Sequence, residues 1–281
     1  MLFRSWLWQV RLPEHYLRRN PSLAVPRVVE VLANYADSTR VFPASAPRQR
    51  PNQPWSLNHV TSGCSPTPNR DDVFGPGFAT SVFVSEPVHN TIHREVLHAH
   101  GSGVHSRRAE GEERTEFLAS TDPWFRPVGT KVGPDGALWV ADMQRFVLEH
   151  PEWISPEMQA RVDVRAGEDR GRIYRVAPSG ARRRNPPALA GMDTPGLVTA
   201  LDHPNGWQRD MAMRLLAERR DASSHGRVRA LTQPGHDPRV RLQALATLGV
   251  MDAVQEADVL RAMADPHPGV RAEGLRQAER F

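Results

Sequence analysis

A short motif that combines proline or glycine with arginine recurs three times near the C-terminal end of this 281-residue chain. The copies lie at residues 203–209, 237–241 and 266–271. Their arginines, Arg209, Arg241 and Arg271, are separated by 32 and 30 residues, and small and apolar residues follow each arginine at helical spacing. This pattern predicts stacked helix pairs of the HEAT type, which need about three units to form a stable stack.

Before about residue 186 the chain has short apolar or alternating runs instead, separated by turn-forming residues. Most of the 25 prolines lie before residue 196, which disfavours long helices there. The turn sequence at 133–136 lies between two such runs, 127–132 and 137–140, and predicts a hairpin. Residues 171–176 predict a further strand. This succession is typical of a four-stranded propeller blade.

Basic and acidic residues are nearly balanced in number, so the chain has no large excess of either charge. There are 36 basic and 32 acidic residues, giving a net charge of +4, and all the basic residues except Lys131 are arginines. Because the arginines are scattered among carboxylates, we expect no nucleic-acid partner. The single cysteine, Cys64, excludes an intrachain disulfide, a Cys-x-x-Cys metal knuckle and a Cys-x-x-Cys-His haem attachment within these residues.

No targeting segment is predicted at the start of the chain. Residues 1–10 are apolar, but Arg4 interrupts them and the stretch is too short for a signal peptide with its cleavage site. No other run is long and apolar enough to predict a membrane span. These features alone predict a soluble chain that is not exported.

Long and unusual motifs follow one another through the β part. They are Tyr16–Pro21, Thr61–Pro66, Asn69–Asp72, Phe83–Asn90, His93–Arg94, Glu116–Asp122, Trp124–Pro127, Ala141–Met143, Arg145–Pro151, Arg165–Gly167 and Gly171–Arg175. In these motifs, and over about residues 6–280 as a whole, the chain resembles the membrane-bound-dehydrogenase-like family of large bacterial proteins, also known as PVC-type haem-binding proteins. It departs from the family pattern at Asn69, Ser85 and Gln144, where we expect a tyrosine, a cysteine and an aromatic residue.

The resemblance implies a domain order of a propeller akin to quinoprotein sugar dehydrogenases, then HEAT repeats, then a cytochrome-c-like domain. Residues 1–186 are accordingly expected to be the C-terminal blades of an incomplete β-propeller, and residues 187–281 an α-solenoid of about three HEAT-like repeats. The fold class is thus β then α. About four earlier blades and the cytochrome-like domain, with its haem site, are expected to lie outside this chain.

The resemblance also implies a function for the larger protein. It would be a periplasmic or cell-surface dehydrogenase that oxidises a sugar or another small alcohol. Its cofactor would be a quinone, pyrroloquinoline quinone with or without calcium, and its electrons would pass to the haem domain. The chain by itself is expected to be inactive.

Asp122, Trp124 and Arg126 precede a strand that we expect to line the central channel of the propeller. Given the resemblance, Arg126 could pair with carboxylates of a quinone cofactor, and Trp124 could stack on its rings. The alternative is structural, with Trp124 and Phe125 sealing the core and Asp122 paired with Arg126.

Glu86, His89 and Asn90 form a second candidate group, on a predicted loop after an apolar strand. A Glu/His pair can perform acid–base chemistry or bind a metal, and it can also brace a loop through hydrogen bonds. We favour the brace, because the catalytic base of the related sugar dehydrogenases belongs to an earlier blade. Asp142 and Arg145 are similarly expected to join a polar network that supports the last blade, with a substrate contact as the alternative.

Five histidines are concentrated between residues 89 and 105. They are His89, His93, His98, His100 and His105. A strand could place His98 and His100 on one face, as a zinc site requires. Because no fixed ligand spacing is present and the stretch is typical of an outer hairpin, no metal site is predicted.

The sequence is therefore compatible with two functions of different classes. The first is a part of a quinone-dependent dehydrogenase, with a sugar or alcohol as substrate. The second is a non-catalytic scaffold whose propeller binds carbohydrate or protein and whose helical repeats hold a neighbouring domain. A general base and arginines around the channel of the complete propeller would favour the enzyme, and a blocked channel would favour the scaffold.

Overall fold

A computed structural model describes residues 7–10, 12, 14–24, 28–46, 56–101 and 103–281. Contacts group the chain into two compact units. The strand-rich unit comprises residues 1–69, 73–133 and 137–181, and the helical unit comprises residues 70–72, 134–136 and 182–281. The predicted order of a β part followed by an α part is confirmed.

The described residues of the strand-rich unit form a two-stranded, a five-stranded and a three-stranded sheet, all antiparallel. The two-stranded sheet consists of β1 (Trp8–Val10) and β2 (Val29–Val31), with helix α1 (Glu14–Arg19) between them in the sequence. The five-stranded sheet follows the order β3 (Cys64–Pro68), β4 (Ser81–Glu86), β5 (Thr91–His100) and β6 (Gly103–Arg108), and β7 (Leu118–Ala119) also pairs with β5. The three-stranded sheet consists of β8 (Pro127–Val132), β9 (Leu138–Asp142) and β10 (Arg172–Val176), with the short helix α2 (Pro156–Gln159) before β10.

The five-stranded sheet is covered on both faces around β4. All six residues of this strand are buried. Since successive side chains point to opposite faces, Val82 and Val84 pack with Leu32 on one side, while Phe83 packs with Leu138 on the other. The second of these clusters joins the five-stranded sheet to the three-stranded sheet.

The three-stranded sheet is covered on one face only in the described part of the chain. Leu138 and Val140 point into the cluster around Phe83 and are fully buried. Trp139, on the opposite face, is half-buried, and Ile173 of β10 is 70% exposed. The uncovered face thus carries large apolar side chains.

The predicted hairpin around residues 133–136 is confirmed, because β8 and β9 pair across it and the Gly133 N–H donates to the Ala137 carbonyl over 2.8 Å. The strand predicted at 171–176 is confirmed as β10. The inner strand expected near residues 60–64 begins only at Cys64. The described part of the second large sheet has three strands and not the four of a complete blade, so the propeller stays a prediction.

The helical unit consists of three consecutive helix pairs. They are α3 (Thr194–Ala200) with α4 (Gly206–Arg219), α5 (His225–Ala230) with α6 (Pro238–Val250), and α7 (Glu256–Met263) with α8 (Pro268–Ala278). Side chains cap their first turns: Asn205 accepts from the Gln208 N–H over 2.9 Å, and Asp237 from the Arg239 N–H over 2.8 Å. The helix predicted to open at Asp237-Pro238 begins there.

The arginines of the sequence repeat make equivalent contacts. Arg209 donates to the carbonyls of His203 and Pro204 over 2.7 and 2.8 Å. Arg271 donates to the carbonyls of Asp265 and Pro266, both over 2.8 Å. Arg241 bonds the carbonyl of His236 in the same way. The repeated arginine therefore fastens the linker before each second helix, which explains its period.

No helix in the described ranges is both long enough and apolar enough to cross a membrane.

Candidate functional site

Asp122 and Trp124 lie on a surface segment that leads into β8. The exposed Asp122 carboxylate accepts hydrogen bonds from the Gln144 side-chain amide over 3.0 Å and from the Trp124 N–H over 2.9 Å. These two bonds lower the pKa of Asp122 below its usual value. The Trp124 ring is half-buried, with the Arg170 guanidinium 5.9 Å from its centroid. Both side chains are accessible to a ligand.

Arg126 is buried, in contrast, with only 4% of the residue exposed. Its guanidinium donates to four main-chain carbonyls at 2.8–3.2 Å, those of Pro87, Val88, Arg145 and Phe146. A guanidinium committed to carbonyls in the interior does not fit the role of pairing with cofactor carboxylates. The structural alternative for Arg126 is therefore the better fit, and the charge of Arg126 also helps to lower the pKa of Asp122.

Asp142 and Arg145 support the same loops. Asp142 is buried at the end of β9, and its Oδ1 accepts from the backbone N–H groups of Arg126 and Gln144, both over 2.8 Å. Arg145 is half-buried and donates to the Arg165 carbonyl over 2.7 Å. Each side chain holds main chain in place.

Glu86 and His89 lie at the turn between β4 and β5, and both are buried. Glu86 accepts from the Thr61 hydroxyl over 3.1 Å and the Ser62 N–H over 2.9 Å. His89 Nδ1 lies 3.0 Å from Glu86 Oε1, while Nε2 accepts from the Asn58 N–H over 3.1 Å, so the ring proton is on Nδ1. The pair is fully occupied with its neighbours.

Asn90 connects this turn to the segment before β8. Its backbone is left-handed, with φ of 59°, and its side-chain oxygen accepts from the Ser45 hydroxyl over 2.7 Å. Its amide nitrogen donates to the carbonyls of Pro123 and Phe125. Together with the bonds of Arg126 to Pro87 and Val88, these contacts unite two groups that the sequence treated separately.

We call the buried members of this assembly the polar brace, namely Glu86, His89, Asn90, Arg126 and Asp142. Most of its functional atoms bind backbone or neighbouring side chains, among them the hydroxyls of Thr61 and Ser45. These contacts favour the structural alternative for the five residues, and a substrate contact stays a prediction. Among the candidate residues of this region that the structure describes, Asp122 and Trp124 keep side-chain surface accessible to a ligand. A role of Asp122 and Trp124 in cofactor or substrate binding stays a prediction.

Sequence reasoning missed Gln144, which orients Asp122. Gln144 has a left-handed backbone, with φ of 50°. Its carbonyl approaches Gly167 so closely that a Cβ there would lie 2.2 Å from that oxygen, and Gly167 itself has φ of 93°. Only glycine fits at 167. Gln144 stood out in the sequence only as a departure from the family pattern.

A second buried cluster was also missed, on the face of the five-stranded sheet that carries Val82 and Val84. His93 lies between two carboxylates, with Nδ1 2.6 Å from Glu116 Oε2 and Nε2 2.8 Å from Glu95 Oε1. Tyr35 donates its hydroxyl to Glu95, and Arg108 donates to Glu116 over 3.1 Å. The side chains of His93, Glu95 and Glu116 are at most 1% exposed. We call these five residues the His93 network.

In the His93 network, hydrogen bonds and charges shift the pKa values of His93 and Glu116 more than burial does. Burial by itself lowers the pKa of His93, but the hydrogen bonds to Glu116 and Glu95 raise it above the usual value. Burial favours a high pKa for Glu116, yet the bonds and charges of His93 and Arg108 bring it below the usual value. Burial, followed by the charge of Glu95, raises the pKa of Tyr35. The available signal was the spacing of His93 and Glu95, which lie two residues apart on β5 and so share one face.

The histidine-rich stretch divides into two sets. His89 and His93 are buried in the contacts above, whereas His98, His100 and His105 lie on the hairpin of β5 and β6. Among the residues that the structure describes, no three His, Cys, Asp or Glu side chains are already arranged to hold a metal ion.

Cys64 is expected to be unreactive. Its Sγ lies 3.7 Å from the Val128 carbonyl, and burial, together with the charge of Glu86, raises the pKa of the thiol to about 11. Because the thiolate is the reactive form, alkylation by iodoacetamide at pH 8 should be about 100-fold slower than for an ordinary thiol. Mass spectrometry over time measures the rate. The same chain unfolded in urea is the control, and equal rates in both states would contradict this prediction.

Comparisons with known proteins give two matches along the chain. A family model described as a domain of unknown function, DUF7133, matches residues 3–180, and a HEAT-repeat model matches residues 194–278. No curated protein and no solved structure matches. The second match confirms the predicted HEAT repeats, whereas neither description names a dehydrogenase. Since the first model covers well over half of the chain, the protein belongs to the DUF7133 family and carries HEAT repeats after the DUF7133 domain.

Proposed function

We propose that this chain is a non-catalytic module of a larger dehydrogenase-like protein, made of propeller blades and a HEAT-repeat arm. The observation that carries this proposal is the polar brace. Residues such as Glu86, His89 and Arg126, which resemble a site in the sequence, use their functional atoms to hold backbone. A catalytic centre needs such atoms free to contact substrate.

The arrangement of the sheets supports the propeller. Strands β3 to β6 and β8 to β10 each pair in sequential order, as blades do, and the two sheets pack face to face through Phe83 and Leu138. Their first strands adjoin, because Thr67 donates to the Thr130 carbonyl over 2.7 Å. The exposed Ile173 marks a face on which a further blade would pack.

The activity of the larger protein rests on the resemblance described above. It would be oxidation of a sugar or another alcohol with a quinone cofactor, in the periplasm or at the cell surface, and a haem domain would accept the electrons. In that setting Asp122 and Trp124 offer a carboxylate and an aromatic face, which are groups that carbohydrates bind. Further propeller blades and the cytochrome-like domain of that larger protein would be the partners of this chain.

The scaffold without any redox activity is the second candidate, and the same polar brace favours it. Dye reduction by the full-length protein separates the two candidates, with a panel of sugars and alcohols and with or without pyrroloquinoline quinone and calcium. Cofactor-dependent turnover supports the dehydrogenase. Its absence across the panel supports the scaffold.

Arg126→Ala and Trp124→Ala test whether this chain contributes catalytic groups. Arg126→Ala should lower the free energy of unfolding by about 2–3 kcal/mol, because it leaves several buried carbonyls unpaired. Trp124→Ala should change any kcat of the full-length protein less than about twofold, since the proposal gives Trp124 no part in the chemical step, and a loss of carbohydrate binding would raise KM alone. Circular dichroism and initial rates measure the two effects. A folded Trp124→Ala protein with a large loss of kcat would contradict the non-catalytic assignment.

A further inference from the structure

Three histidines share one face of the β5–β6 hairpin. His98 is the direct cross-strand partner of His105, and His100 is the partner of Gly103. Directly opposed residues point to the same face of a sheet, and so do residues two apart on one strand. The side chains of His98, His100 and His105 therefore project together near the end of the hairpin.

Their rings are close to one another. The ring centroids of His98 and His105 are 5.5 Å apart, and those of His100 and His105 are 5.3 Å apart. His98 and His100 are exposed, and His105 is half-buried. His105 thus contacts both of the other rings and occupies the centre of the group.

We propose that His98, His100 and His105 form a surface site for a divalent transition-metal ion, of which Zn²⁺ is the best candidate. Neutral imidazole is a preferred ligand of zinc, and three imidazoles with a water molecule complete a tetrahedron. With metal–nitrogen distances of about 2.0–2.1 Å, two imidazoles on one ion have centroids roughly 5 Å apart. The observed separations already match that spacing.

The site forms only when the rings turn. The planes of His98 and His105 are within 24° of parallel, so these rings stack and their nitrogens do not point at one common position. Accordingly, no three metal-binding side chains converge in the described part of the chain before the ion binds. Rotation about the side-chain bonds of exposed histidines is fast, and ordering them costs affinity but does not prevent binding.

The charges around the hairpin permit a cation. Arg107 is the nearest cationic neighbour along β6, but its guanidinium lies 4.9 Å from the Tyr35 ring centroid and donates to the Ser106 carbonyl. A carboxylate offsets it: Glu30 Oε2 lies 3.5 Å from the position that a Cβ on Gly103 would take. This site is separate from the proposed function, and neither depends on the other.

Isothermal titration of the untagged chain with ZnCl₂ tests the site. We expect saturable binding of one ion per chain, at least a tenfold weaker affinity for His105→Ala, and a smaller loss for His98→Ala. His150→Ala is the matched control, because that side chain is 71% exposed and lies outside the hairpin. It should bind Zn²⁺ as the unchanged chain does.

Cobalt distinguishes this site from binding at the thiol. The Co²⁺-loaded chain should show the visible bands of tetrahedral nitrogen ligation without a thiolate charge-transfer band, and Cys64→Ser should leave its spectrum unchanged. Absence of saturable binding would overturn the proposal, as would equal affinity for Zn²⁺ in the unchanged chain and in folded His105→Ala.

Discussion

Glu116→Ala should lower the free energy of unfolding of the strand-rich unit by about 3–5 kcal/mol, because it removes the anion from a buried ionic group. Glu116 accepts from Arg108 and from the Phe42 N–H and lies 2.6 Å from His93. The variant leaves His93 and the cationic Arg108 buried with less compensating charge. Hydrogen exchange of peptides from β4 and β5 measures the loss, because it reports this unit independently of the helices.

Two further variants sharpen this test. Glu116→Gln keeps the size and one acceptor but not the charge, so its loss should be smaller, about 1–3 kcal/mol. Glu113→Ala is the control, because Glu113 is exposed and its carboxylate accepts from local backbone N–H groups, its own and that of Gly111. Its effect should stay within about 0.5 kcal/mol. Equal losses for Glu116→Ala and Glu113→Ala would show that the His93 network does not stabilise the sheet.

The pH dependence of stability has a definite sign for this network. The lowered pKa of Glu116 gives stabilisation that is present above the unfolded value of about 4.3 and is lost as the pH falls through the folded pKa. The raised pKa of His93 gives stabilisation that is complete below about pH 6.5 and is lost as the pH rises through the folded pKa. Both contributions are therefore complete between about pH 4.3 and pH 6.5. Glu116→Ala should remove most of the pH dependence of stability that comes from the His93 network.

Those features of the fold that depend on neighbouring residues could be predicted from the sequence. The hairpin at residues 133–136 follows from proline and glycine at fixed turn positions, and α6 begins where Asp237 can cap its first turn. The HEAT period was visible because Arg209 and its equivalents bind carbonyls only a few residues away. In each case the residues that fix the structure are adjacent in the chain.

The candidate site could be predicted only in part, because its contacts join distant segments. Nothing local indicates that Arg126 reaches the carbonyls of Pro87 and Val88, or that Asn90 reaches Phe125. The sequence therefore proposed two groups of possible functional residues where the fold makes one brace. The same types of polar residue hold loops in place and perform catalysis, and only the groups that their side chains contact in the fold distinguish the two roles.

Asp258→Ala should be the most damaging single substitution in the HEAT repeats, with a loss of about 3–5 kcal/mol in the free energy of unfolding. The Asp258 side chain is fully buried at the start of α7. It accepts from Arg229 over 2.9 Å, from Arg261 over 3.1 Å and from the Gln255 N–H over 3.1 Å. The variant therefore loses a helix cap and leaves Arg229 without its carboxylate partner.

Acid titration provides an independent test of Asp258. Burial raises its pKa, but the hydrogen bonds from Arg229, Gln255 and Arg261 outweigh burial and lower the pKa below the usual value. The stabilisation is therefore present above the unfolded value of about 3.9 and is lost as the pH falls through the folded pKa. The unchanged chain and Asp258→Ala should therefore differ less in their free energy of unfolding below about pH 4 than at neutral pH. Hydrogen exchange of α6 and α7 measures this difference at neutral pH, and circular dichroism measures it in acid.

Asp202→Ala is the matched control for Asp258→Ala. Its side chain is 57% exposed and lies 3.9 Å from Arg239, and a surface pair of this kind contributes at most about 1 kcal/mol. The comparison separates burial of an ion pair from the mere loss of a carboxylate in the helical unit. If both substitutions lowered stability equally, the contact between Asp258 and Arg229 of α5 would not hold successive repeats together, and apolar packing around Leu248 would have to supply that stability instead.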